Sequence, residues 1–162
     1  ITTFIGGIPM PEINHQVYIK ESIARVFDTL TTAEGWNAWF TDQTSIHQES
    51  DGTGEIRLRW TGLGKDKKDL VDGGKILQTI PNKSFIFQWT PGESVTTIEF
   101  KLEPYRDGTL VVFKETGYSN SDNDIKACLN CAVGWGETLT LLKVYLEEAL
   151  VYKEESKEIQ QC

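Results

Sequence analysis

Between Asp122 and about Leu150, Cys128, Cys131, Ala132, Trp135, Leu139, Leu142, Leu146 and Ala149 recur at steps of three and four. That spacing predicts a long helix with one apolar stripe. Asn130, Glu137, Lys143 and Glu147 fall largely on the opposite side, while Leu141 and Val144 widen the apolar face. Ser121 stands where an N-cap is needed, with Asp124 three residues on, an approximate capping box. Gly134 and Gly136 flank Trp135. Each glycine costs about 1 kcal/mol against alanine in a helix interior, so the pair predicts a bend, a break or a closely approaching neighbour.

Upstream the pattern is different. Ile13 to Lys20 alternates loosely, with Ile13, His15, Val17 and Ile19 on one face of a predicted strand. Ser22 then caps a short helix, Ile23 to about Leu30, and Thr31 to Phe40 forms a second short helix or irregular turn holding Trp36, Trp39 and Phe40. From Gln43 to Gly117 short β-rich runs alternate with turn residues, as an antiparallel meander requires. The predicted strands are Thr44–Glu49, Glu55–Trp60, Leu70–Ile80, Phe85–Trp89, Val95–Leu102 and Thr109–Gly117. Gly73-Gly74 marks a bulge or a close approach. The layout predicts an α+β fold in which a curved antiparallel sheet of about seven strands wraps around the long helix.

The 162 residues fit one domain, residues 13–152, between an N-terminal tail, 1–12, and a charged C-terminal tail, 153–162. A net charge of −8 argues against nucleic acid and anionic membrane surfaces. No apolar run approaches the roughly 20 residues of a membrane span, and the N-terminus does not read as a signal peptide. Three cysteines without framework spacing fit a reduced, cytoplasmic compartment.

Candidate chemistry is sparse. Cys128-Leu-Asn-Cys131 is either a pair of small core side chains or a redox or metal pair. His15 and His47 are too far apart to nominate a base–nucleophile pair, and Gly62-Leu-Gly-Lys65 lacks the strand-to-helix context of a phosphate loop. No cofactor or metal is implied. Glu115 shares strand parity with Val111 and Phe113, hence the concave face. It is either a polar anchor or acid/base there, or a strand-end residue reaching solvent at the mouth. Asp72 and His15 are the other candidate acids or bases. The aromatics, Phe85 among them, either fill the interior or line a pocket.

Several local signatures carry a family resemblance: Val26-Phe27 before Leu30-Thr31; Trp36 with Trp39-Phe40; and Gly74-Lys-Ile with Ile80-Pro81-Asn82-Lys83 and Trp89. Glu115-Thr-Gly117-Tyr118 and Gly134-Trp135 with Leu139, Leu142 and Leu146 complete the set. In this order they resemble the START-like, birch-pollen-allergen-like (SRPBCC) superfamily with its helix-grip fold. Within it, the chain looks most like the branch named after the activator of the ninety-kilodalton heat-shock protein's ATPase. That activator is similar over one domain; its further N-terminal, chaperone-contacting domain has no counterpart here. The resemblance implies an apolar cavity between sheet and long helix. Trp39, Phe40, Trp60, Phe87, Trp89, Phe100, Phe113, Glu115, Cys131, Trp135 and Leu139 are the candidates to line it. The first expectation is a module binding a small hydrophobic or aromatic molecule. The second is association with a chaperone or other protein, and the third is a cyclase- or hydrolase-like enzyme using the same cavity.

Overall fold

The computed structural model describes residues 4–5 and 8–154. In the N-terminal region, β1 (Phe4–Ile5) and β2 (Ile8–Pro9) pair as a small antiparallel ladder where the sequence suggests only a tail. The main body follows the order β3 (Ile13–Ile19), α1 (Ile23–Thr31), α2 (Ala33–Trp39), β4 (Ser45–Gln48), β5 (Gly54–Leu63) and β6 (Lys68–Ile80). It continues with β7 (Ser84–Trp89), β8 (Thr96–Tyr105), β9 (Gly108–Thr116) and α3 (Asp122–Glu148). The seven main strands form one antiparallel sheet in the order β3-β9-β8-β7-β6-β5-β4. From β4 to β9 each strand pairs with the next, as short turns dictate, and β3 adds to β9 to finish the sheet. This is an α+β helix-grip fold.

The core lies between the concave face of the sheet and the helices. Ile56, Leu58 and Trp60 of β5, Phe85, Phe87 and Trp89 of β7, and Ile98, Phe100 and Leu102 of β8 are all buried, in the alternation that half-covered strands show. On β3 the alternation is looser, and His15 is exposed rather than inward. Gly73 and Gly74 mark a close approach, not a bulge. A β-carbon on Gly73 would fall 2.1 Å from the Ile56 carbonyl oxygen, and one on Gly74 would fall 2.6 Å from that of Gln88. The register shift on this strand comes later, between Ile76 and Gln78.

The long helix is continuous, and Gly134 and Gly136 do not interrupt it. Ser121 caps it, accepting from the Asp124 backbone N–H at 3.1 Å. Asp124 does not reach back to the cap, as a capping box would have it. Its buried carboxylate instead accepts from the backbone N–H groups of Glu93 (2.8 Å), Ser94 (3.2 Å) and Ser119 (2.7 Å). Hydrogen bonding from the side chains of Ser94 and Ser119 foremost, then from the backbone N–H groups of Ser119 and Glu93, holds its pKa below the ordinary carboxylate range. The loop must come close for this to happen. Gly92 permits it, because a β-carbon there would sit 2.6 Å from Asp124 Oδ1. Further along, Lys143 Nζ donates to the Tyr18 carbonyl at 2.5 Å and pairs with Glu147 at 2.7 Å, holding α3 to β3. Beyond α3, Lys153 donates to the carbonyls of Asn37 (2.6 Å) and Thr41 (3.1 Å), which ties the start of the predicted tail to the end of α2. The rest of that tail, 155–162, lies outside the described residues.

One feature of α3 departs from a single apolar stripe. Leu129 and Val133 are 65% and 76% exposed, and Ile125 is exposed beside them. Ala132, assigned to the buried stripe by its spacing, is exposed too. The first half of α3 is therefore apolar on both faces, one turned to the core and one to solvent.

Candidate functional site

Strand parity on β9 turns Val111, Phe113 and Glu115 inward, and all three are fully buried. Glu115 thus does not behave as a strand-end residue reaching solvent. Its carboxylate is surrounded by side-chain donors. Oε1 accepts from Trp89 Nε1, Thr96 Oγ1 and the Tyr118 hydroxyl, each at 2.8 Å. Oε2 accepts from Trp135 Nε1 at 3.0 Å. The donors come from β7, β8, the loop after β9 and α3. Tyr118 reaches back three residues from just past Gly117, whose φ of +111° disfavours any side chain.

Two effects compete on this carboxyl. Burial disfavours the charge and raises its pKa; the bonds from Trp89, Tyr118, Thr96 and Trp135 act the other way without cancelling the rise. The Tyr118 hydroxyl is itself pushed up, first by burial and then by the charge on Glu115, so it stays a donor.

Around this acid lies a continuous aromatic wall. Trp135 is buried, with its ring centroid 4.5 Å from Phe113, 5.6 Å from Trp89, 6.0 Å from Phe100 and 6.4 Å from Phe40. These distances are those of favourable tilted and edge-on pairs. The aromatic and apolar candidates Trp39, Trp60, Phe87 and Leu139 are buried as well. Cys131 is buried and disulfide-bonded, not the reduced thiol expected of it. Cys128 is a free, buried thiol whose pKa is raised by burial, so the C-x-x-C pair is not joined to itself.

Of the other candidate acids and bases, His15 is exposed on β3 and does not join Glu115. Asp72 is half-buried, and its Oδ1 accepts from the backbone N–H groups of Gly73 (2.7 Å) and Thr90 (3.0 Å). Burial raises its pKa. Thr96 was not readable as a site residue, because one threonine in a β-strand carries no signal of its own.

The five tryptophans divide into two groups. Trp36 Nε1 donates to the Leu30 carbonyl at 2.8 Å, and Trp89 and Trp135 donate to Glu115. Trp39 Nε1 and Trp60 Nε1 are buried without an acceptor. A buried donor left so is destabilising by about 1–3 kcal/mol. Both rings lie against Phe40, at centroid distances of 5.2 and 5.3 Å.

The family described as "Activator of Hsp90 ATPase homolog 1-like protein" matches residues 20–147, most of the chain and every element from α1 to α3. The chain belongs to this family. Among curated proteins, none matches the sequence. Among solved structures, the Aha1 dimer of Colwellia psychrerythraea is 27% identical, with a TM-score of 0.68 over 86% of this chain and 98% of that one. Protein SSP2350 of Staphylococcus saprophyticus is 23% identical, with a TM-score of 0.67 over 88% of this chain and 96% of that one. The di-domain ARO/CYC StfQ of the steffimycin biosynthetic pathway is 11% identical, with a TM-score of 0.66 over 85% of this chain and 51% of that one. The last two likenesses are of fold alone. Members of this fold thus range from an activator homologue to a protein of a biosynthetic pathway, so the activity of this family member has to be argued from its own interior.

The raised pKa of Glu115 sets a pH dependence. The folded chain keeps the proton to higher pH than the unfolded chain does. The group's stabilising contribution is therefore full below the ordinary value of 4.5 and declines as pH rises through the folded value. Glu115→Gln cannot titrate. Urea unfolding of both proteins between about pH 4 and 8 should show the native chain losing stability relative to the variant as pH rises. Parallel curves would mean that Glu115 does not titrate in that range. Glu115→Ala, which strands four donors, should lose at least about 3 kcal/mol at any pH.

Proposed function

We propose that this domain binds a small hydrophobic or aromatic molecule between the concave sheet and α3. The observation that supports this most is the buried Glu115 carboxylate set in an aromatic wall. Every donor to it is a side chain, and two of those donors are indoles that also form the wall. Apolar contact alone would bind weakly. Burying about 250 Å² of ligand surface contributes roughly 6 kcal/mol, against at least about 4 kcal/mol lost on association. A polar anchor supplies the remainder. A ligand hydroxyl or N–H can replace one of the four donors at Glu115 without leaving the carboxylate bare. The rings touch one another, so binding requires them to part, and Trp89 and Trp135 should report it. Titration with a panel of naphthalene derivatives and fatty acids should shift or quench tryptophan emission. The shift should be larger for members carrying a hydroxyl, and Glu115→Gln should reduce that advantage. An emission unchanged across the panel would refute the reading.

The exposed stripe on α3 favours a second reading, a protein-interaction surface. Ile125, Leu129 and Val133 stand one turn apart on the outer side of the helix, where a soluble helix ordinarily carries polar residues. The family's name points to a chaperone, and the Colwellia relative is described as a dimer. The double variant Leu129→Lys, Val133→Glu changes only solvent-facing positions. It should keep the native urea midpoint while abolishing any capture of the heat-shock chaperone and any effect on its ATPase rate. If the unmodified chain neither binds the chaperone nor changes that rate, the chaperone form of this reading falls.

A further inference from the structure

Two buried indole N–H groups, those of Trp39 and Trp60, have no acceptor. Trp39 ends α2, and Trp60 lies on β5; Phe40 packs between them, stacked on one ring and edge-on to the other. The remaining three indoles all have acceptors, so the absence is specific to this corner. The corner is held firmly. The backbone N–H groups of Asp42 and Gln43 both donate to the Arg59 carbonyl, and Asp42 Oδ2 accepts from the Thr61 backbone N–H at 2.7 Å. The corner lies one strand from the surface. Leu70 is the cross-strand partner of Trp60, hence on the same face of the sheet, and it is exposed.

We infer that this α2–β5 corner binds the carbonyl oxygen of an uncharged aromatic ketone or ester, with Trp39 Nε1 or Trp60 Nε1 as donor and the ring of the ligand lying against Phe40. The inference rests on the ligand-binding reading above and adds the ligand's class and its orientation. Two unpartnered N–H donors select a ligand acceptor, which a carbonyl oxygen supplies without adding a donor of its own. Both donors are neutral, and the nearby charges, Lys153 and Asp42, already lie 3.9 Å from each other. A ligand carboxylate would bring a further charge into this buried site, where Lys153 is already paired with Asp42, so a neutral oxygen is favoured.

Tetralin and 1-tetralone test this directly, because they share a skeleton and differ by one carbonyl oxygen. Without a donor in the site, tetralone should bind more weakly than tetralin, since its carbonyl must give up water. With the indole donor, tetralone should bind about tenfold more tightly by calorimetry, as one hydrogen bond to an otherwise unpaired donor allows. In Trp60→Phe and Trp39→Phe, which keep an aromatic ring but lose the N–H, at least one variant should bring the two affinities within about twofold while still binding tetralin. Urea unfolding of each variant confirms that it is folded before its affinities are compared. Equal binding of the two probes by the native chain, or a preference for tetralin, overturns the subsite while leaving the apolar site intact. A tetralone preference that survives in both variants overturns the assignment of the donors. If neither probe binds although the naphthalene panel does, the subsite alone is refuted; if nothing binds, both readings are.

Discussion

A carboxylate removed from water is among the most costly groups a small domain can bury, and here Glu115 is buried in the middle of an aromatic wall. The structure accommodates it by converging four side-chain donors from four different segments. Each donor is thereby fixed in place: Trp89 on β7, Thr96 on β8, Tyr118 on the connection and Trp135 on α3. The acid is a lock between the sheet and the helix that grips it. Because the lock is polar and made only of side chains, it has a specific geometry and can exchange partners, which an all-apolar interface cannot do.

The elements around the lock reduce the freedom of α3 at both ends. Asp124 ties its first turn to the loop between β7 and β8, and Lys143 ties its second half to β3. Between those ties lies Trp135, flanked by two glycines that are poor for helix stability but leave the ring uncrowded. Motion that admits a molecule would then centre on the aromatic wall and on the α2–β5 corner, not on the helix ends. The same arrangement leaves the outer side of α3 free to carry an apolar stripe, so the first half of the helix is apolar on two sides.

Most of the architecture was legible from periodicity. The strands of the meander, the two short helices and the cap at Ser121 follow from alternation, turn residues and spacing. Parity alone put Glu115 on the concave face, because a strand residue two places from Phe113 must share its side. What parity does not carry is depth. Whether a carboxylate at a strand end meets water or indoles depends on Trp89 and Trp135, which are 26 and 20 residues away. For the same reason Asp124 read as half of a capping box: its true partners at Glu93 and Ser94 belong to a distant loop. Ile125, Leu129 and Val133 carry no signal of their own in the sequence, because the stripe through Trp135 accounts for the helix and a second apolar face has no purpose within a single chain. The unpartnered N–H groups of Trp39 and Trp60 are invisible in principle from sequence, since an orphan donor is a property of its surroundings.

The claim that Glu115 locks α3 to the sheet is tested most directly by a double-mutant cycle with Trp135. Trp135→Phe removes the indole donor and keeps a ring; Glu115→Gln removes the charge and leaves Oε2 replaced by an amide group that cannot accept. Urea unfolding of the native chain, both single variants and the double variant at one pH isolates the coupling between the two side chains. The lock predicts that the two losses are far from additive, with a coupling energy of about 1–3 kcal/mol, as expected for a hydrogen bond to a charged group. Losses that simply add would mean that the acid and the helix are independent, and would contradict the account.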